Sequence, residues 1–343
     1  MFNPARLKLA RQRLGLSLTK VAESSGISLR SLTNYENGAS APIDENLMRL
    51  AQVLAVPRSF FERETVETIP VGAVSFRKLS KTTALTRDAV LAAAALATEF
   101  FQIVASKFLL PQPDLPSLDK LPPEQAAELT RRRWGLGDRP ISHMVHLLES
   151  KGVRVASINH VYRDIDAFCF FRDGTPFVFL NTSKSAERQR FDAAHELGHL
   201  VLHAELEMDP SLSKEREIEA NRFAASFLMP QSAVLAQSMR GASIDRILAA
   251  RTYWKVSAMA LTHRLHELHL LSDWQYRTAC VTLSDSGYRS SEPGGIVRET
   301  SQLLRKVMFG GDGKFSARDA ARELNLESPD VAQFVHGLVP VAA

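Results

Sequence analysis

The sequence predicts a multidomain chain in which an all-α bundle is followed by an α+β domain with a small sheet and a helical C-terminal part. The chain has 343 residues and 45% hydrophobic content, which suits two or three compact domains better than one. Residues 5–62 repeat short apolar stripes at helical spacing, whereas residues 153–180 carry the short apolar runs of strands. The expected division is a bundle at 1–65, a connecting helix and Pro-rich linker at 66–123, the α+β domain at 124–272, and a C-terminal extension of unknown role at 273–343.

Five short helices with abrupt turns are expected within residues 5–62. Ser17 and Ser28 occupy N-cap positions, Gly26 separates the second helix from the third, and Gly38 ends the third. This pattern is typical of a helix-turn-helix inside a compact bundle.

In such a motif the second helix, here about 28–37, enters the major groove of DNA by its N-terminal end. Leu29, Leu32 and Tyr35 have the spacing of a packing face, so the polar residues between them are expected to face DNA. A lysine on the preceding helix is expected to contact the DNA backbone. The DNA-binding candidates are therefore Ser28, Arg30, Ser31, Asn34 and Lys20.

The charge of the chain is unevenly spread. The net charge is only +4, but the first twenty residues contain no acid and five cations, namely Arg6, Lys8, Arg11, Arg13 and Lys20. This local excess favours a double-stranded DNA operator as partner. Helix-turn-helix domains usually read two half-sites as dimers, so a homodimer is expected, with the helix expected at 87–110 as a candidate dimer element. The alternative is a helix-turn-helix that contacts only protein, for instance by docking onto a homologous repressor.

A helix expected at 87–110 is apolar on nearly all sides, so it should be buried against the next domain or a second subunit. The segment 111–124, PQPDLPSLDKLPPE, has the composition of a linker. The sequence contains no apolar run of eighteen residues and no signal-like N-terminus, which predicts a soluble, cytoplasmic protein without a membrane partner. Cys169 and Cys280 do not form a CxxC motif, so neither a disulfide framework nor a cysteine zinc site is indicated.

The second domain begins with helices at 124–134 and 140–151. Three strands are expected at 153–158, 167–171 and 177–180, and the RDGT turn joins the last two. Long helices then follow at 186–204 and 215–229, and Pro230 ends the second one.

The helix at 186–204 contains two histidines four residues apart, in RFDAAHELGHLVLH. Residues at i and i+4 lie on one helical face about 6 Å apart along the axis, so His195 and His199 can bind the same metal ion. A catalytic zinc site uses three protein ligands, so a third ligand must come from elsewhere. His203 lies about 12 Å along the axis from His195 and fits a second-shell or helix-end role instead.

Glu219 is the preferred third ligand, and Glu217 is the alternative. Glu219 lies four residues before Phe223 and eight before Phe227, on the apolar stripe of its helix. A buried carboxylate needs a cationic partner, and a zinc ion supplies one.

Buried core histidines that bind no metal remain the alternative interpretation. Gly198, which allows close approach of a neighbouring backbone, the upstream strand PFVFLN and the downstream buried glutamate together favour a metal site. Glu196 borders that site about 100° round the helix, the position from which a glutamate performs acid-base work on water. Manganese also suits a site of two histidines and one carboxylate.

The stretches FLNTSKSAERQRFDAAHELGHLVLH and EIEANRFAASFLMP resemble the ImmA/IrrE family of zinc metallo-endopeptidases, and residues 5–62 resemble the Xre/Cro-type helix-turn-helix. The first resemblance covers roughly residues 124–272. It implies a zincin-like fold, zinc bound by His195, His199 and Glu219, and Glu196 as the catalytic base. It also implies an anti-repressor that cleaves a regulatory protein such as an Xre-type repressor.

Because this chain carries its own Xre-like domain, autoregulation or antitoxin-like repression of its own operon is an equally open role. A further alternative is a transcription factor whose metallopeptidase-like domain senses a ligand or partner and cuts little or nothing. The strand PFVFLN is expected to be an edge strand to which an extended substrate peptide adds.

Overall fold

The computed structural model describes residues 1–67, 69, 83–158, 165–204, 213–289, 291–311 and 314–339. Most of the predicted connecting stretch between the bundle and the long helix lies outside these residues. The chain divides into two compact units, one formed by residues 1–110, 156–165 and 302–343, the other by residues 111–155 and 166–301. This grouping differs from the division expected from the sequence, because residues 302–343 belong to the same compact unit as residues 1–110.

The first unit contains the predicted bundle. Its helices are α1 Pro4–Arg13, α2 Leu18–Ser25, α3 Leu29–Glu36, α4 Asp44–Val53, a 3-10 turn Arg58–Glu62, α5 Ala84–Lys107, α14 Gln302–Phe309, α15 Ala317–Leu324 and α16 Ser328–Val335. Ser17 and Ser28 cap α2 and α3 with their side chains, and Gly26 ends α2 in the left-handed conformation with φ 69°. The helix-turn-helix expectation is therefore confirmed in its caps and in its turn.

Helix α5 forms the core of the first unit. It packs against α1 and against α15 and α16, and the rings of Phe100 and Phe334 lie 6.3 Å apart. Arg6 of α1 forms a buried bidentate ion pair with Glu99 of α5, at 2.8 and 3.0 Å. The apolar faces of α5 are thus covered by helices of its own unit, from both ends of the chain.

One described helix, Ala84–Lys107, is long and apolar enough to cross a membrane, with a mean hydropathy of 1.7 in its most apolar window. However, 72% of that window is buried inside the protein. The core helix of a globular domain has the same length and composition, so the described residues contain no convincing membrane span.

The second unit contains the remaining helices. They are α6 Pro123–Arg133, α7 Met144–Ser150, α8 Ala186–Leu202, α9 Ser213–Leu228, α10 Gln231–Ala236, α11 Ile244–Trp254, α12 Ala258–Glu267 and α13 Asp273–Asp285. Helix α9 packs on one side against α6 and on another against α8. The extended segment after α13 is also held here, since buried Glu299 pairs with Arg190 of α8 and accepts a 2.7 Å hydrogen bond from the Met144 backbone.

The sheet consists of β1 Arg154–Ser157, β2 Ala167–Arg172 and β3 Thr175–Leu180, in the order β1-β3-β2. Strands β2 and β3 form an antiparallel hairpin whose loop, Asp173 and Gly174, has positive φ at both positions, as a tight hairpin turn requires. The expectation that PFVFLN is an edge strand is wrong, because β3 lies between the other two strands. The edges of the described sheet are β1 and β2.

Candidate metal centre

Helix α8 is the buried centre of the second unit. Ser185 caps it by accepting from the Arg188 backbone, and Ala193, Ala194 and Leu197 are fully buried. The helix packs against β2, β3 and α9, so side chains on several of its faces are removed from water. This burial explains why two histidines on one face lie in a largely desolvated place.

His195 and His199 point their Nε2 atoms at each other, 3.1 Å apart. Their side chains are only 14% and 5% exposed. Burial, reinforced in each case by a neighbouring histidine, lowers the pKa of both imidazoles to about 3. Both rings are therefore neutral at physiological pH, which is the form that binds metals.

Glu217 of α9 completes the cluster. Its carboxylate oxygens lie 3.3 Å from His199 Nε2 and 3.6 Å from His195 Nε2. One ligand atom from each of the three residues lies within 4.8 Å of the other two. Two imidazoles and one carboxylate are the donor set of many catalytic zinc sites.

Glu219, the preferred third ligand from the sequence, does not lie at the histidine pair. Its side chain is 47% exposed, and its Oε2 lies 2.9 Å from His203 Nε2. Glu219 could be a ligand only if the side of α9 that carries Phe227 faced the histidines. Instead Phe227 packs edge-on against Trp134 at the end of α6, and Glu217 is the carboxylate directed at α8.

The chemistry of the cluster fits a cation. His195 Nδ1 lies 3.1 Å from the Asn221 side-chain oxygen, which only accepts hydrogen bonds, so this ring carries its proton on Nδ1. The Nε2 lone pair of His195 is then directed at His199 and Glu217, which offer further lone pairs. The lone pair of His195 Nε2 and the carboxylate oxygens of Glu217 thus converge on one place, and a metal ion satisfies such an arrangement.

Glu196 lies on α8 beside this cluster and is 3% exposed. Its Oε2 is buried and has no hydrogen-bond partner among the described residues. Burial raises the pKa of Glu196 well above its usual range, and the nearby Glu217 adds to this effect. A carboxylate in this state can take up and return a proton at Oε2.

A close approach of two helices brings the cluster together. A Cβ at Gly198 would lie 3.2 Å from the Cα and the carbonyl oxygen of Ala220, and 3.2 Å from Phe223 Cβ. A Cβ at this position would push α9 back by a few tenths of an ångström, so glycine suits the close approach of α8 and α9, as expected for Gly198 from the sequence.

Sequence reasoning missed two residues near the site. Asn221 follows Glu217 by four residues, so the i, i+4 spacing on α9 could have identified it. The Cys169 thiol of β2 donates to the Glu196 carbonyl at 3.5 Å, a contact that depends on strand placement and leaves no sequence signal.

The cationic residues of α1, which supported DNA binding, are largely used inside the first unit. Arg6 pairs with Glu99, and Arg11 pairs with Glu36 at 2.6 Å. Arg13 pairs with Asp330 and donates to the Leu54 carbonyl. These three arginines therefore stabilise the first unit and do not argue for DNA binding, whereas Lys8 and Lys20 are exposed.

The recognition-helix candidates have mixed surroundings. Lys20, Ser28 and Arg30 are exposed, whereas Ser31 and Asn34 are half-buried. Ser28 accepts from the Ser31 backbone as the cap of α3, and the two hydroxyl groups are hydrogen-bonded. The assignment of Leu29 to the packing face is wrong, since this residue is 46% exposed and only Leu32 and Tyr35 are buried there.

Comparisons with known proteins match both parts of the chain. A family model described as the IrrE N-terminal-like domain, a peptidase family, matches residues 148–266, and a helix-turn-helix model matches residues 7–61. The resemblance deduced from the sequence is thereby confirmed for these two segments. Two curated relatives, from Sinorhizobium medicae (strain WSM419) and Rhizobium meliloti (strain 1021), are each described as an uncharacterized HTH-type transcriptional regulator.

Each of these relatives is 39% identical to this chain over 57 residues. The match covers 17% of this chain and 41% of the relative, so the chain spans less than half the length of either regulator.

Proposed function

We propose that the protein is a cytoplasmic, DNA-binding transcriptional regulator with zinc-dependent endopeptidase activity, and that it cleaves a regulatory protein such as an Xre-type repressor. The convergence of His195, His199 and Glu217 beside the buried Oε2 of Glu196, which has no hydrogen-bond partner within the described part of the chain, is the observation that carries this proposal. An acid-base group next to a three-ligand metal site is what peptide-bond hydrolysis requires.

His195, His199 and Glu217 would hold the metal, and Glu219 is replaced in that role by its neighbour two residues earlier. Bound zinc would supply Lewis-acid activation of water and of the scissile carbonyl. Two imidazoles and one carboxylate also accept manganese. Glu196 takes a proton from the attacking water at Oε2 and returns it to the leaving amine.

Strand β2 is a better candidate than β3 for orienting an extended substrate peptide. It is an edge of the described sheet, and its Cys169 contacts the backbone of Glu196. A peptide hydrogen-bonded along this edge would run beside the helix that carries the site. We therefore expect the substrate peptide to add as a further strand at β2, and not at β3 as the sequence suggested.

The DNA-binding part of the proposal rests on α2 and α3 of the first unit. Their caps and turn have helix-turn-helix geometry, and Lys20 and Arg30 keep exposed side chains there. We assign Arg30 to a base edge or a phosphate and Lys20 to the backbone of a double-stranded operator, with Ser28, Ser31 and Asn34 as further contacts.

Glu196→Gln tests the enzymatic part, with Glu215→Gln as matched control because Glu215 is an exposed carboxylate on α9. Protein N-termini are labelled in cells that express each form and are identified by mass spectrometry. New N-termini within a regulatory protein are expected with the wild type and the control but not with Glu196→Gln. Zinc content and operator affinity should be the same in all three proteins.

If Glu196→Gln leaves the regulatory output unchanged and no form produces new N-termini, proteolysis is not the function. That result would favour a transcription factor whose second unit senses a ligand or partner.

A further inference from the structure

A chain of hydrogen bonds leads away from the metal cluster through two residues outside it. His199 Nδ1 lies 3.0 Å from His203 Nδ1, and His203 Nε2 lies 2.9 Å from Glu219 Oε2. The His203 side chain is 7% exposed, whereas the Glu219 carboxylate reaches solvent. The chain therefore runs from a buried metal-ligand candidate to the protein surface.

The protons in this chain can be placed from chemistry alone. An ionised carboxylate only accepts, so His203 carries a proton on Nε2. In a neutral His203 ring, Nδ1 is then the acceptor, and His199 must donate to it from its own Nδ1. The lone pair of His199 is left on Nε2, the atom that faces His195 and Glu217.

From this order we infer that Glu219 and His203 are positioning residues, which hold His199 in the tautomer and orientation that bind the metal. The inference rests on the proposed function, because it assumes that His199 Nε2 is a metal ligand. Asn221 does the same for His195, since its amide oxygen accepts from His195 Nδ1 at 3.1 Å. Each histidine of the cluster thus has its own partner on the far side of its ring.

A His203 ring protonated on both nitrogens would conflict with metal binding by His199. A cationic His203 would donate from both nitrogens, and His199 Nδ1 would then have to accept. The remaining proton of His199 would move to Nε2, which would block the ligand atom.

The arrangement has an energetic consequence as well as a geometric one. A carboxylate that polarises a histidine pair makes the distal imidazole a stronger electron donor. Loss of such an outer partner typically weakens metal binding about 10- to 100-fold without removing the site. Loss of Glu219 should therefore lower the affinity for zinc, whereas loss of Glu217, a ligand, should abolish zinc binding.

The test uses the full-length protein and measures zinc affinity by competition with a chromophoric chelator. Glu217→Ala should abolish stoichiometric binding. Glu219→Ala and His203→Ala should still bind about one zinc per chain at saturation, but about 10- to 100-fold more weakly. Glu215→Gln, an exposed change on the same helix, should match the wild type.

His203→Asn separates the two links of the chain. The Asn side-chain oxygen is as many bonds from Cα as His Nδ1, so it can still accept from His199 but cannot reach Glu219. Its zinc affinity should lie between those of the wild type and His203→Ala. Adding Glu219→Ala to His203→Asn should not lower the zinc affinity further, because His203→Asn has already removed the contact with Glu219.

Imidazole ¹⁵N shifts of the zinc-loaded protein give a second readout that a merely structural role would not move. The wild type should show His203 protonated at Nε2, and Glu219→Ala should shift this ring towards a mixture of tautomers. Equal zinc affinities in wild type and Glu219→Ala, with an unchanged His203 tautomer, would refute the positioning role of Glu219 and His203. Absence of zinc from the wild type would instead refute the proposed metal site.

Discussion

Substitution of Gly198 by alanine should loosen the contact between α8 and α9 and weaken the metal site. Alanine in a helix interior gains about 1 kcal/mol over glycine. The new methyl group, however, would lie 3.2 Å from Ala220 Cα, Ala220 O and Phe223 Cβ, closer than carbon atoms normally pack. Overpacking of this kind costs about 1–3 kcal/mol. Since α9 is also held by α6, it cannot yield freely, and a net loss of about 1 kcal/mol is expected.

Relief of this overpacking would move α9 away from α8, and it would move Glu217 too, because Glu217 lies three residues before Ala220 on α9. A displacement of α9 by a few tenths of an ångström moves its carboxylate away from both Nε2 atoms, so zinc affinity should fall together with stability. Metal sites tolerate only about 0.2 Å in their ligand distances.

Tryptophan fluorescence during urea unfolding is a suitable assay, since all three tryptophans, Trp134, Trp254 and Trp274, belong to the second unit. Gly198→Ser, which adds a hydroxyl group, should lose more stability than Gly198→Ala. Operator affinity serves as an internal control and should not change. If Gly198→Ala is more stable than the wild type and binds zinc equally well, the close-approach argument fails.

Three further predictions concern the first unit. Glu99→Gln leaves Arg6 buried without its charged partner and should lower the free energy of unfolding by about 3–5 kcal/mol, measured by circular dichroism in urea. Burial alone would raise the pKa of Glu99, but hydrogen bonds and charge from Arg6 and Arg63 lower it below 4.5. The unfolded chain therefore binds this proton more readily, and stability should fall as the pH falls below about 4.5, with a flatter dependence in Glu99→Gln. Arg30→Ala should weaken operator binding by about 1–3 kcal/mol in a fluorescence anisotropy titration, whereas exposed Arg240→Ala should have no effect.

Local patterns predicted much of this fold. The caps at Ser17 and Ser28 and the hairpin turn at Asp173 and Gly174 each depend on neighbouring residues, and the structure has them where the sequence indicated. The long helices were predicted for the same reason, since apolar spacing reports one buried face.

Features that depend on distant partners were not predictable. Apolar spacing showed that α9 is buried, but not that it packs against two helices, so it could not distinguish Glu217 from Glu219. Strand order is likewise set by pairing between segments and not by the composition of β3. The arginines of α1 resembled a DNA-binding surface because their acidic partners, among them Glu99 and Asp330, are far away in the sequence.

The packing of α15 and α16 on α5 also has a consequence for how the protein is made. The ribosome releases the helix-turn-helix and α5 long before the C-terminal helices, so α5 first emerges with part of its apolar surface uncovered. Phe334 can cover Phe100, and Asp330 can pair with Arg13, only after more than two hundred further residues have been synthesised. A chain that terminates before α15 would therefore lack a complete first unit, and in a nascent chain this unit can be completed only after the whole second unit has been translated.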